Sequence, residues 1–160
     1  MLFSSPAQFL PQLPMQAAFS PPFSPPFSLS ALPHPQLLVL PDQSAPDQSA
    51  PGQSAPDQSA PNPALSYLEW HQGQEPLLLL HGMADHSLVW ASLGEFLQNR
   101  YHILAPDLRG HSNSSKPLQG YRCTDLIADL TALLAAQGWT SAHVVAHSWS
   151  AKVAAVWATQ

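Results

Sequence analysis

The residues best suited to chemistry are Ala146-His147-Ser148-Trp149-Ser150. They sit between a short apolar run, HVVA at His143–Ala146, and the alanine-rich stretch SAKVAAVWAT at Ser150–Thr159. A serine hydroxyl becomes an accessible nucleophile when a sharp, strained strand-to-helix turn lifts it above the sheet. The residues two before and two after it must then be small, or they collide with the neighbouring strand and helix. Ala146 and Ser150 are both small. The same turn aims the Trp149 backbone amide, at a helix N-terminus, at the reacting centre. Gly is usual at both small positions and neither is Gly here, so a plain strand-to-helix turn also explains these five residues taken alone.

The elements that must hold such a turn are legible from periodicity. Ser66–His71 alternates as a strand does, and Gly73 marks the polar turn that follows. Leu77–Leu80 is apolar on every residue, which suits a buried parallel strand. Trp90, Leu93, Phe96 and Leu97 recur at helical spacing. Tyr101–Ala105 is a second short strand, stopped by Pro106, and a loop runs from Asp107 to Gly120. Leu126, Ile127, Leu130, Leu133 and Leu134 mark the next helix, with Asp125 and Asp129 placed near its N-terminus to suit the helix dipole and Gly138 ending it. Strands alternating with helices predict an α/β fold, a parallel sheet with helices on both faces. Ligands in such sheets bind at the carboxyl ends of the strands, here after Leu80, Ala105 and Ala146.

Three blocks add a resemblance. LLLLHGMADHSLVW (Leu77–Trp90), APDLRGHSNSSKP (Ala105–Pro117) and HVVAHSWSAKVA (His143–Ala154) are similar, in order and spacing, to the oxyanion strand, the Pro-Asp-x-Arg-Gly-x-Gly-x-Ser loop and the nucleophile strand of the α/β-hydrolase superfamily, in its esterase-like branch. Ser112 stands where a second Gly is common. The resemblance implies Ser148 as nucleophile and the backbone N–H groups of Met83 and Trp149 as an oxyanion hole. It implies structural support from His81, Gly82, Asp107 and Arg109. Dehalogenases and epoxide hydrolases of that superfamily use Asp where Ser148 stands, so a serine implies acyl transfer to water from an ester-like small molecule. The superfamily's triad acid and histidine follow the nucleophile in the chain. Residues 149–160 contain no His, Asp or Glu. Residues 64–160 are therefore expected to be the N-terminal half of an α/β-hydrolase domain. Such a half would be inactive and poorly soluble alone, with the nucleophile strand an exposed apolar edge. A complementing C-terminal fragment would be its partner.

The first 63 residues are of another kind. Fifteen of the 18 prolines lie there, no Lys or Arg precedes Arg100, and from Ala45 the chain cycles as APDQS, APGQS, APDQS. Proline at that spacing blocks helix and sheet ladders, so residues 1–63 are expected to be a disordered leader. In it, LLVL at Leu37–Leu40 is too short to stand alone, and SPPFSPPF could suit an aromatic-lined groove. The leader as an interaction element, or a non-catalytic ligand-binding member of the fold, are the competing functions.

The net charge of −5 is spread without a basic run, which argues against nucleic acid or anionic membrane as partner. No apolar run approaches a membrane span, and no targeting signal is legible, so a cytoplasmic protein is expected. Cys123 is the single cysteine, leaving no internal disulfide, and its setting is that of a helix start rather than a nucleophile. His143 and His147 lie on a strand and its turn rather than on one helix face, so no metal is expected. No cofactor motif is present.

Overall fold

The computed structural model describes residues 32–40 and 63–160. Five strands form one sheet in the order β1 (Gln36–Val39), β2 (Ala64–Trp70), β4 (Tyr101–Pro106), β3 (Glu75–Leu80), β5 (His143–Ala146). Three helices accompany it: α1 (Ala91–Leu97), α2 (Cys123–Ala136) and α3 (Trp149–Trp157).

The run Leu77–Leu80 becomes β3, flanked by β4 and β5, both parallel to it. Its alternate residues feed two cores. Leu77 and Leu79 join Leu68, Trp70, Ile103 and Ala105 on one face, under Trp90, Leu93 and Leu97. Leu78 and Leu80 join Leu104, Leu126, Leu130, Leu133 and Val153 on the other, under α2 and α3. Both faces are covered, which is why no residue of this strand is polar after Glu75.

The sheet is mixed rather than wholly parallel. β2 pairs antiparallel with β4, and β1 antiparallel with β2. Only the few residues between Trp70 and Glu75 join β2 to β3, too few for a crossover that would keep the two strands parallel, so β2 runs opposite to β3 and therefore opposite to β4, which is parallel to β3.

Gln36–Val39, expected to lie in the disordered leader, is a sheet strand. Leu40 is 2% exposed within the second core, and its N–H donates to the Pro63 carbonyl at 2.8 Å. The described residues on either side of the repeats, Leu40 and Pro63, are thus joined to each other. The rest of the leader, with SPPFSPPF and the repeats, lies outside the described residues.

The first helix also differs from its expected stripe. A 3-10 turn at Ser87–Trp90 precedes α1 and shifts its phase, so Phe96 is exposed while Ala91 and Gly94 are buried. Gly94 is required there: a Cβ would lie 2.7 Å from the Trp70 ring. Gly138, at φ 69°, ends α2 as expected. β5 is an edge strand of the described sheet, with Val144 and Val145 about 40% exposed. Among the described residues no helix is long and apolar enough to cross a membrane.

Candidate functional site

The loops after β3, β4 and β5 converge at the carboxyl ends of the parallel strands. Ser148 lies between β5 and α3 with φ 59° and ψ −125°. That backbone is unfavourable for a residue with a Cβ, and it survives only because its flanks are fixed. The His147 N–H donates to the Leu80 carbonyl at 2.9 Å, continuing the β3–β5 ladder up to the turn. Immediately beyond, Ser150 is fully buried against the same carbonyl. Ser148 itself is exposed. Trp149 opens α3, so its amide belongs to the first turn, whose N–H groups have no intrahelical acceptor.

The opposing limb is His81-Gly82-Met83, which continues from β3. At Gly82 a Cβ would lie 2.8 Å from His147 Nδ1 and 3.4 Å from Ser148 Cβ. Only a residue without a side chain lets the two limbs approach this closely. Met83 follows and is 70% exposed. His81 is wholly buried, and both ring nitrogens are occupied. The Leu108 N–H donates to Nε2 at 2.9 Å, and Nδ1 lies 2.7 Å from the Gly82 carbonyl. This pattern assigns the proton to Nδ1 and leaves Nε2 as acceptor. Burial holds the His81 pKa below its ordinary value, keeping the ring neutral. The ring fixes the loop and is not placed to act as a base.

Asp107, buried just past the end of β4, ties the 3-10 turn at Ser87 to its own loop. Its Oδ1 accepts the Ser87 N–H at 2.8 Å and its Oδ2 the Asn113 N–H at 3.2 Å. Burial pushes this carboxyl up, but the Ser87 and Asn113 amides and the Ser87 and Ser112 hydroxyls reverse it, leaving the pKa below the ordinary carboxylate value. Ser112, where Gly is common, sits at φ 41°, a left-handed backbone that explains the usual Gly.

Arg109 is clamped between its loop and α2. Nε and Nη2 reach the Asp129 oxygens at 2.6 and 2.5 Å, and Nη1 donates to the Gly120 carbonyl at 2.7 Å. Asp129, expected to serve the helix dipole, is instead this buried partner, 2% exposed, a turn and a half into α2. The signal was in its spacing: Leu126, Asp129, Leu130 and Leu133 share one helix face, so an acid on the apolar stripe had to meet a cation. Asp125 does serve the helix start, accepting the Arg122 N–H at 2.8 Å. The hydroxyls of Ser114 and Ser115 accept the Ser66 and Ala64 amides at 2.8 Å, tying the same loop to β2.

His111 completes the neighbourhood. Its ring is edge-on to His81 at 5.0 Å and stacked on Trp149 at 6.2 Å. A shallow groove of about 320 Å³ lined by Leu77, Leu97, Tyr101, His143, Val144 and Val145 lies at the opposite ends of the strands, away from Ser148. No cluster of three His, Cys, Asp or Glu side chains among the described residues could hold a metal ion.

Comparison with known proteins agrees with this geometry. The alpha/beta hydrolase fold family matches residues 75–160, which run from β3 through α3. The chain belongs to the α/β-hydrolase family. It is 33% identical over 79 residues to the soluble epoxide hydrolase of Corynebacterium sp. strain C12, covering 49% of this chain and 28% of that one. It is 34% identical over 92 residues to the haloalkane dehalogenase of Bradyrhizobium diazoefficiens, covering 57% and 30%. Among solved structures, an epoxide hydrolase from Bacillus megaterium aligns with a TM-score of 0.57 at 32% identity, over 61% of this chain and 34% of that one. This α/β-hydrolase chain thus spans about a third or less of the length of these relatives.

Proposed function

We propose that this chain is the nucleophile-bearing part of a serine hydrolase that transfers an acyl group from an ester-like substrate to water. Ser148 attacks the carbonyl carbon. The backbone N–H groups of Met83 and Trp149 receive the negative charge that develops on the carbonyl oxygen. The observation that carries this reading is the residue in the strained turn: a serine, in a chain whose relatives are named as epoxide hydrolases and dehalogenases.

The chemistry of the intermediate favours acyl transfer over those relatives' named reactions. A carboxylate that displaces a halide or opens an epoxide forms an ester, which water can cleave. A serine hydroxyl attacking the same saturated carbon would form an ether, which water does not cleave, and turnover would stop. Attack on an ester's carbonyl carbon instead breaks its C–O bond, releases the alcohol and gives an acyl-serine, which water cleaves to the carboxylic acid, regenerating Ser148.

The base and the acid that orients it belong, on this proposal, to a complementing C-terminal part matching the length of relatives that this chain does not span. The test uses a serine-reactive fluorophosphonate on the chain and on the product of its coding sequence continued past codon 160. The continued product is expected to label rapidly at Ser148, and Ser148→Ala to abolish labelling. The chain alone is expected to label slowly. A continued product that carries His and an acid yet leaves Ser148 unlabelled would overturn the proposal.

A further inference from the structure

The fully buried Ser150 hydroxyl has a place that steric smallness does not explain. Ser150 Oγ lies 3.0 Å from the Leu80 carbonyl oxygen and 2.9 Å from the His147 carbonyl oxygen. It has one proton to donate and two acceptors in reach, a three-centre arrangement. The Leu80 carbonyl also accepts the His147 N–H. One oxygen at the end of β3 therefore gathers both a backbone and a side-chain donor from the turn.

Leu80 is the residue from which His81-Gly82-Met83 departs. His147 and Ser150 bracket Ser148 and Trp149. The clamp thus joins the roots of the two limbs that carry the Met83 and Trp149 amides. The limbs meet with almost no slack at Gly82, where a Cβ would be 2.8 Å from the His147 ring. Alanine or glycine at residue 150 would meet the same demand for smallness without supplying this bond.

We infer that Ser150 is a positioning residue, whose hydroxyl holds the Met83 and Trp149 amides in register with the Ser148 hydroxyl. The inference rests on the proposed function for what those amides do, but not for where they are. A misplacement of about 1 Å at such a site costs roughly a hundredfold in rate. A hydroxyl that merely satisfied itself in the core would leave both amides where they are.

The chain suits a direct measurement, because it holds only three Met and five Trp. Selective ¹⁵N labelling of these two residue types reads Met83 and Trp149 with few other peaks. Trp70 and Trp90 belong to the core on the opposite face of the sheet and serve as internal controls. Ser150→Ala is expected to shift the Met83 amide resonance, which lies across the Leu80 clamp from the substitution, and leave Trp70 and Trp90 unmoved. Ser150→Gly, which restores the residue usual at this place, provides a second variant should the first not fold, and is expected to do the same. An unchanged Met83 peak in either folded variant would overturn the inference, because Trp149 adjoins residue 150 and its peak moves with any substitution there. So would equal movement of all Trp peaks. No reaction is read, so Ser150 can fail this test while Ser148 passes its phosphonate test, and the reverse.

Discussion

The strand β1 and the repeat that follows it should respond to perturbation with opposite signs. Leu40 and Pro63 are hydrogen-bonded to each other, so folding must bring together two residues that 22 others separate. Deleting the 15 residues Ala45–Ser59 leaves about 7, and the closure cost, which scales as (3/2)RT ln n, falls by about 1 kcal/mol. The shortened chain should be more stable by that amount. Leu40→Ala removes a side chain that is 2% exposed beside Leu65, Tyr67 and Leu108. It should cost about 2–5 kcal/mol. All five tryptophans lie at Trp70 or beyond, so urea unfolding read by their fluorescence reports the domain and not the leader. With a urea slope of about 1–3 kcal/mol/M, the deletion should raise the midpoint by about 0.3–1 M. A deletion that lowers the midpoint, or a Leu40→Ala chain equal to the parent, would refute the placement of β1 as an integral strand.

The remaining expectations concern the site. Replacing Ser148 with Gly should relieve the φ 59° backbone and raise stability by about 1–3 kcal/mol in the same urea assay, while abolishing any phosphonate labelling. Arg109→Met leaves Asp129 as a buried charge stripped of its clamp and should cost about 3–5 kcal/mol, against a far smaller loss for the exposed Arg100→Met. His81 has a folded pKa below its ordinary 6.5. Its contribution is complete above that pH and is lost as pH falls, because the unfolded chain takes up the proton first. Stability should therefore decline below pH 6.5 with a slope of at most about 1.4 kcal/mol per unit for this group, and His81→Asn should flatten that decline. Asp107 adds a second loss at lower pH, as its depressed pKa makes the unfolded state the better proton acceptor below the ordinary carboxylate value.

What the sequence determined by itself is local. Four apolar leucines in succession specify a strand buried on both faces, and β3 is that strand. Small residues two before and two after Ser148 permit a sharp turn, and the backbone at Ser148 takes one. The Pro-Asp-x-Arg-Gly loop was legible as a block because its order and spacing resemble a family motif, although its residues act on partners 20 or more positions away. Helical spacing located α2 to within a residue or two, and Gly138 stopped it.

What only the tertiary structure decided are the partners across the chain. LLVL is too short to hold as a strand, and becomes one only because β2 offers an open edge and a pocket for Leu40. The helix face that Asp129 shares with the leucines signals a buried acid, but only the docking of α2 brings Arg109 to it from a loop twenty residues away. The neutral state of His81 depends on Leu108 and Gly82 meeting it from two elements. The Ser150 hydroxyl gains a meaning beyond its size only where β3 ends 70 residues earlier in the chain. Periodicity and steric size act between neighbours, so a sequence displays them directly. Hydrogen-bond partners and buried charge pairs depend on where distant segments are brought together, and packing sets that.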